Sequence, residues 1–483
     1  MKPIALDIQH NSTTSLYIQL YDHLRQAIIQ GEITAGERLP SLRRLAKDLG
    51  ISVTTVSQAY DQLVVEGYLN SRPHSGYYVA DLKVAGQIPE TLETLITEPI
   101  DFDTDQIQKT EYRYDTASFD FVKWKKCLSA VLNEHAHLLL SESDPQGEPA
   151  LRHEIARYVY TARGVLCAPE QVVIAAGTQQ LTGHLIRILR KMRIDHISTE
   201  DPGYLPVQNI FRDHEFSITR IPVRQDGILI ERLPMNIASA VYLSPSNQFP
   251  TGSVMPVGRR YQLLEWAEAN DSLILEDDYD SELRYFGKPI PPLASLDKAG
   301  RVVYFGSFSS TLFPAIKISY MILPKAMAKI FSRIKRDYDQ TCSKEEQLAL
   351  AMFMEKGYYY TNIKKLRSLC AQKLQAALTA LSEYATGFVT PMNTHSGINL
   401  TLRVQTYIAP DELCRRAAEL GLYLVPVASL TDQTTAELIF YYNRVPIGDI
   451  GPCVKAMIDA WRQRTTPPQT KTRRSSRSCR LPG

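Results

Sequence analysis

Residues 302–321 constrain this chain more than any other stretch. Val302-Val303-Tyr304-Phe305 reads as a buried strand, Gly306-Ser307-Phe308-Ser309-Ser310 as a turn of mostly small residues, and a short apolar segment leads to a second strand at 320–323. A strand that is apolar on both faces has to be covered on both, as happens in the parallel sheets of α/β proteins. The same signature recurs at 172–176, 195–198, 240–243 and 273–275, with helical stretches such as 179–191 and 259–269 between them. The expectation is an α/β domain with a mostly parallel sheet flanked by helices, followed by a smaller C-terminal α/β subdomain from about Met354 to Trp461. An α/β enzyme commonly places a cofactor-bonding side chain in such a turn, and here the turn carries serines.

Upstream, Leu16, Leu20, Leu24, Ala27 and Ile28 form a helical stripe, with Ser15 as its N-cap and Gly31 at its end. A turn at 36–41 leads to a second helix over Leu42, Leu45, Ala46 and Leu49, capped by Ser41 and stopped by Gly50. Ser52 caps a third, whose apolar face is Val56, Ala59, Tyr60, Leu63 and Val64 and which stops at Gly67. Segments 68–70 and 77–79 close a hairpin. Three helices and a wing make a winged helix-turn-helix. Ser52, Thr54, Thr55 and Ser57 are short donors at the start of the third helix, placed to reach phosphates or base edges of double-stranded DNA. Arg43 and Arg44 open the second helix, and His74 and Gly76 sit at the wing tip. Positive and negative residues balance within 1–80, so one module attracts DNA weakly by charge and two on one dimer are needed.

With 483 residues, two or more domains are expected. No apolar run approaches the roughly eighteen residues of a membrane span, and Met1 to His10 lacks a basic segment followed by an apolar one, so neither anchor nor signal peptide is expected. The cysteines are odd in number and lack a C-x-x-C pair, which points away from a disulfide framework or zinc site and towards a cytoplasmic location. The expected organisation is a head at 1–80, a linker at 81–107 with one short helix at 90–96, a large domain at 108–462 and a basic, disordered tail at 463–483 that adds phosphate attraction.

The run Leu39-Pro40-Ser41-Leu42-Arg43-Arg44-Leu45-Ala46, continued by Gly50-Ile51-Ser52, Thr54-Thr55-Val56, Ala59-Tyr60 and Glu66-Gly67-Tyr68, resembles the GntR-type DNA-binding module. Val53 stands where that pattern often has Arg, and His74 where the wing has Gly. The large domain carries, in order, Asp144-Pro145-Gln146-Gly147, Gly177-Thr178-Gln179, Glu200-Asp201-Pro202-Gly203-Tyr204, 244–252, Glu276-Asp277-Asp278-Tyr279-Asp280-Ser281-Glu282 and Gly306-Ser307-Phe308-Ser309. That series resembles a fold-type-I aminotransferase and, behind a GntR head, the MocR/GabR family of transcription regulators. The resemblance implies a pyridoxal 5'-phosphate pocket. Gly177, Thr178 and Gln179 would cradle the phosphate at a helix start, together with Ser307, Ser309 and Lys317. Tyr204 would stack on the ring, Asp277 hold its nitrogen protonated, and Tyr279, with Asn247 or Gln248, meet its phenolic oxygen.

Measured against the same family, Ser310 stands where a lysine forms the Schiff base, and a hydroxyl cannot form that bond or serve as the amine base. Lys317 stands for a phosphate-gripping Arg, Glu142 for a Tyr that reaches the partner subunit's phosphate, and Ile439 for the Arg that anchors a substrate carboxylate, with Arg444 out of register. The expectation is a DNA-binding regulator without transaminase turnover. It is a homodimer reading repeated half-sites, answering to a small-molecule effector and holding pyridoxal phosphate non-covalently if at all. The alternatives are an active transferase with an accessory DNA head, or a sensor whose pocket has taken another ligand.

Overall fold

The computed structural model describes residues 14–73, 75–82, 115, 118–285, 290–394, 397–427 and 434–462. The chain falls into two compact units, Met1–Thr104 and Asp105–Gly483. The wing-tip His74, the expected helix at 90–96 with nearly all of the linker, and the tail at 463–483 lie outside the described residues.

The first unit contains α1 (Leu16–Ile29), α2 (Leu42–Leu49), α3 (Val53–Val65) and the hairpin of β1 (Leu69–Arg72) and β2 (Gly76–Val79). The stripes read from the sequence are its core: Leu20, Leu24, Leu45, Val56, Tyr60 and Leu63 are buried together. Two caps form as expected, Ser41 Oγ accepting from Arg44 N at 3.4 Å and Ser52 Oγ from Thr55 N at 3.0 Å. Ser15 is a correction. It occupies the N-cap position of α1, but its side chain makes no cap bond. Its carbonyl instead takes the N–H groups of Ile18 and Gln19, so backbone alone closes the first turn.

The second unit runs α4 (Phe121–Glu134), α5 (Pro149–Arg163), β3 (Val172–Ala176), α6 (Thr178–Lys191), β4 (His196–Asp201), α7 (Leu205–Asp213), β5 (Ser217–Arg224), β6 (Gly227–Ile228), β7 (Ala240–Leu243), α8 (Val257–Ala269), β8 (Leu273–Asp277), α9 (Leu293–Leu296), β9 (Val302–Ser307), β10 (Ile318–Ile322), α10 (Lys325–Ile334) and α11 (Lys344–Glu355). Its sheet is ordered β3-β10-β9-β8-β7-β4-β5-β6. Strands β5, β4, β7, β8 and β9 pair in parallel. The second strand of the 302–321 stretch, β10, is antiparallel to both β9 and β3, so the sheet is mixed. The physical reason is reach, since a parallel return needs a crossover of about a dozen residues or more and 308–317 are too few. Leu185, Leu189, Phe211 and Phe331 pack one core, and Trp124, Ile155, Tyr158 and Phe353 another, which explains strands that are apolar throughout.

The chain then continues through α12 (Tyr358–Tyr384), β11 (Val389–Met392), β12 (Leu400–Gln405), α13 (Pro410–Ala418), β13 (Leu424–Pro426), β14 (Thr435–Phe440) and α14 (Ile450–Arg462). These strands form an antiparallel sheet ordered β11-β12-β14-β13. Leu374, Leu381, Leu413, Met457 and Trp461 of the helices share a core with Leu402, Leu438 and Phe440.

Candidate functional site

The register of the large sheet collects one edge. Ile318 lies opposite Ala176 and Ser319 opposite Ser307. Asp277 pairs with Phe305 and Leu243 with Glu276, so the C-terminal ends of β3, β9, β8, β7 and β4 and the start of β10 lie together. The carboxyl edge of such a sheet is where α/β proteins hold ligands. On it stand Gly177, Lys317, Ser307, Asp277, the 244–248 loop and the segment from Glu200 to Tyr204.

Gly177 precedes α6 with φ +86 and ψ 165, a conformation open to glycine, and a side chain there would meet nothing within 4 Å. The first-turn amides of Thr178 and Gln179 have no intrahelical acceptor and face outward from the helix end. Gly306 answers a different need, since a Cβ there would lie 2.3 Å from Tyr320 Cζ. Beyond it, Ser319 Oγ donates to Ser307 Oγ at 2.9 Å, and Ser309 N to the same oxygen at 3.3 Å. Lys317 is exposed, holds a left-handed φ of +49, and has no ion pair among the described residues.

The acidic run 276–280 is buried or half-buried, and neighbouring residues have unrelated roles. Glu276 accepts the N–H groups of Leu293 and Ala294 at 2.7 and 2.8 Å. Asp278 binds the Arg163 guanidinium through two bonds. Asp277 accepts a hydrogen bond from the Tyr242 hydroxyl, and burial pushes its carboxyl up to about 6. Around it gather aromatic rings: Tyr204 meets Phe249 edge-on at 6.3 Å, and Phe249 meets Tyr279 at the same distance. Asn247 is buried in the same loop. Its neighbour Gln248 is committed to structure, donating to Pro202 O at 2.8 Å and accepting from Thr251 Oγ1 at 2.6 Å. Ile439 is buried in β14 opposite Thr401, whose hydroxyl donates to Pro250 O, so position 439 shares the sheet face turned to this loop. Arg444 packs its guanidinium over the Tyr423 ring at 4.1 Å and the Tyr441 ring at 5.4 Å. Glu142 is exposed on the segment before α5.

Sequence reasoning missed Glu200 and Tyr242 as parts of the site, because their partners are distant in sequence. Glu200 Oε2 accepts from Ser244 N at 3.2 Å and Gln248 Nε2 at 3.3 Å. Burial, with Asp277 nearby, pushes its carboxyl up to about 8. Because the folded value lies above the ordinary 4.5, stability is present in full below about 4.5 and is lost as pH rises through about 8. Glu200→Gln should therefore flatten a decline on the order of a few kcal/mol across that window, measured by urea denaturation at several pH values. A variant that declines as steeply as the parent would show that the proton is taken up elsewhere.

In the first unit, Arg43, Arg44, Ser52 and Thr54 are exposed, and Thr55 and Ser57 half-buried. Arg44 lies 3.8 Å from Asp48. The Ser52 and Thr55 hydroxyls bond to each other at 2.8 Å, and Ser57 donates to Asp61 at 3.2 Å, which leaves Thr54 and Val53 as outward side chains of the helix start. Two cations not singled out from sequence flank the wing. The Arg38 guanidinium lies against Gly76, and Arg72 covers the Tyr78 ring at 4.6 Å.

Residues 16–79 match the bacterial regulatory proteins of the gntR family, and residues 108–431 match aminotransferase class I and II. Uncharacterized HTH-type transcriptional regulator YdeL of Bacillus subtilis (strain 168) is 37% identical over 92% of this chain and 97% of its own. Probable rhizopine catabolism regulatory protein MocR of Rhizobium meliloti is 32% identical over 88% of each. HTH-type pyridoxine biosynthesis transcriptional regulator PdxR of Corynebacterium glutamicum is 32% identical over 81% of this chain and 84% of its own. Among solved structures, the multiple substrate aminotransferase of Thermococcus profundus is similar with a TM-score of 0.63 and 25% identity, over 77% of this chain and 96% of that one. The kynurenine aminotransferase of Pyrococcus horikoshii has a TM-score of 0.62 at 22% identity with the same coverage, a likeness of fold.

Proposed function

The chain belongs to the family of HTH-type transcriptional regulators that join a gntR-family head to an aminotransferase class I and II domain, and on that premise we propose that it is a DNA-binding transcription regulator whose large domain dimerises and senses a small molecule without transaminase turnover. The assignment divides the chain into a DNA head at 1–80, a linker at 81–107, a sensing and dimerising domain at 108–462 and a basic tail at 463–483. Among the described residues no helix is long and apolar enough to cross a membrane, and the proposed site of action is the cytoplasm.

The observation that carries the reading is an exposed α3 start in a chain whose large domain matches aminotransferase class I and II; the family resemblance supports Ser310 as the residue at the bond-forming position. Arg43 and Arg44 contact phosphates, and Val53 and Thr54 meet base edges in the major groove, Val53 by apolar contact. Each head reads one half-site of a repeated operator, and the homodimer supplies the second.

The pocket's donor set fits a pyridoxal phosphate held without a covalent bond. The α6 amides of Thr178 and Gln179, the Ser307 and Ser309 hydroxyls and the Lys317 charge suit a phosphate. Asp277 suits a ring N–H, Tyr204 offers a half-exposed ring to stack on, and Asn247 and Tyr279 suit the phenolic oxygen. When bound, the group supplies an electron-withdrawing ring. Ser310 has no amine to take up or return a proton, so the residues bind and orient without turning a substrate over.

The test is a mobility shift on DNA upstream of the protein's own gene across a salt series. Wild type should give a salt-resistant specific complex. Arg43→Ala combined with Arg44→Ala should lower affinity roughly tenfold or more and reduce the log–log salt slope by about two. A wild-type complex that melts like one on unrelated DNA would count against a regulator.

A further inference from the structure

Beside Ser310 lies a carboxylate that the proposed regulator does not otherwise use. Asp280 is 3% exposed and sits at a left-handed φ of +55. The Ser310 hydroxyl and the backbone N–H of Ile398 favour its ionised form, while burial, aided by Glu282 and Asp277, pushes the carboxyl up to about 7. Its Oδ1 is buried and accepts no hydrogen bond among the described residues. No cation pairs with it among the described residues. Arg163 and Arg284 border the same small cavity, but Arg163 is held by Asp278 at 2.7 and 3.0 Å, and Arg284 forms no ion pair with Asp280.

A buried acceptor without a donor is costly and rarely left so without a role. What relieves it is a cation or an N–H brought to that point. Position 310 is where the family resemblance places the amine that bonds the cofactor's aldehyde carbon. With Ser310 there, this chain has no amine on the protein side and a buried carboxylate next to it. An aldehyde offers Asp280 neither charge nor donor, whereas an aminomethyl group on the same ring carbon offers both.

We propose that Asp280 and Ser310 form an ammonium subsite, so that the pocket selects the amine form of the vitamin, pyridoxamine 5'-phosphate, over the aldehyde form. The inference rests on the reading that this pocket holds a vitamin B6 phosphate at all. It makes Asp280 a specificity-determining residue and sets the signal as the ratio of amine to aldehyde.

The test is calorimetric titration of the full-length protein with pyridoxamine 5'-phosphate, pyridoxal 5'-phosphate and 4'-deoxypyridoxine 5'-phosphate. The last keeps the ring and phosphate with neither amine nor aldehyde. The amine form should bind roughly tenfold or more tightly than the other two, as a charge-assisted contact to a buried group implies. Asp280→Asn should bring its affinity down to that of the deoxy probe and leave the deoxy probe unchanged, with thermal unfolding run to check the fold. Equal or tighter binding of the aldehyde form by wild type would overturn the inference, as would an Asp280→Asn protein that keeps the preference. If all three probes bind alike, the B6 pocket stands and the ammonium subsite falls. If none binds, both fall. Should Asp280→Asn fail to fold, the three-probe comparison on wild type decides alone.

Discussion

Asp278→Ala should destabilise the second unit by about 3–5 kcal/mol, the loss expected when one partner of a buried ion pair is removed. Arg163 Nε reaches Asp278 Oδ2 at 2.7 Å and Nη2 reaches Oδ1 at 3.0 Å, with side-chain exposures of 2% and 0%. The Tyr304 hydroxyl adds a bond of 2.7 Å to Oδ2. Deleting the carboxylate leaves a buried guanidinium at the end of α5 and a phenol on β9 without the acceptor they share. The charge cannot be shed, because an arginine does not deprotonate in a protein. The companion prediction separates charge from packing. Asp278→Ala with Arg163→Met should be more stable than Asp278→Ala alone, since no buried charge is left unpaired. Urea denaturation followed by circular dichroism measures both. An Asp278→Ala midpoint equal to that of the parent would mean that water reaches Arg163 and the pair is not buried in solution.

The same residues show what the sequence could and could not reveal. The stripe of Leu20, Leu24, Ala27 and Ile28 and the strands at 172–176 and 240–243 were legible because burial imposes a period or an unbroken apolar run. The direction of β10 was not legible from its composition, because a buried strand reads the same both ways. It follows from the short 308–317 connection, which the apolar pattern does not weigh. The acidic run was legible as a site from its place at the C-terminal end of a strand and from the family resemblance, but the separate roles of Glu276, Asp277 and Asp278 were not. What gives each its role is a partner brought by the fold: the α9 amides for Glu276, Tyr242 for Asp277, and Arg163, 115 residues away, for Asp278. Asp280 stood in the resembling motif with no role attached, because an acceptor without a donor can be recognised only when its surroundings are known. In the head, the Ser52 and Thr55 hydroxyls read as DNA contacts, yet they face each other at 2.8 Å, a local satisfaction that spacing on a helix does not reveal.

Ser310→Lys combined with Lys317→Arg should turn the purified protein yellow on addition of pyridoxal phosphate, in a band that borohydride bleaches and fixes as a lysine adduct detectable by mass. The parent, given the same ligand, should show no adduct at position 310. Ser310 lies in the turn after β9 and beside Asp280. A lysine introduced there would have its charge favoured by that carboxylate and disfavoured by burial. Position 317 acts separately. It immediately precedes β10, whose first residue Ile318 lies opposite Ala176, on the edge where α6 begins, and its side chain is exposed. An arginine there replaces a point charge by a two-pronged donor, worth about tenfold in affinity for a phosphate. The single variants therefore divide the loss into its parts. Ser310→Lys alone should form the adduct but demand more ligand, whereas Lys317→Arg alone should bind more tightly and give no borohydride-fixed adduct. A double variant that gives no borohydride-fixed adduct at saturating ligand would place the decisive loss elsewhere. The remaining departures are then Ile439, whose sheet face turns to the 247–250 loop, and Glu142, which is exposed before α5, and Ile439→Arg added to the double variant is the next step because its cross-strand neighbour Thr401 bonds that loop.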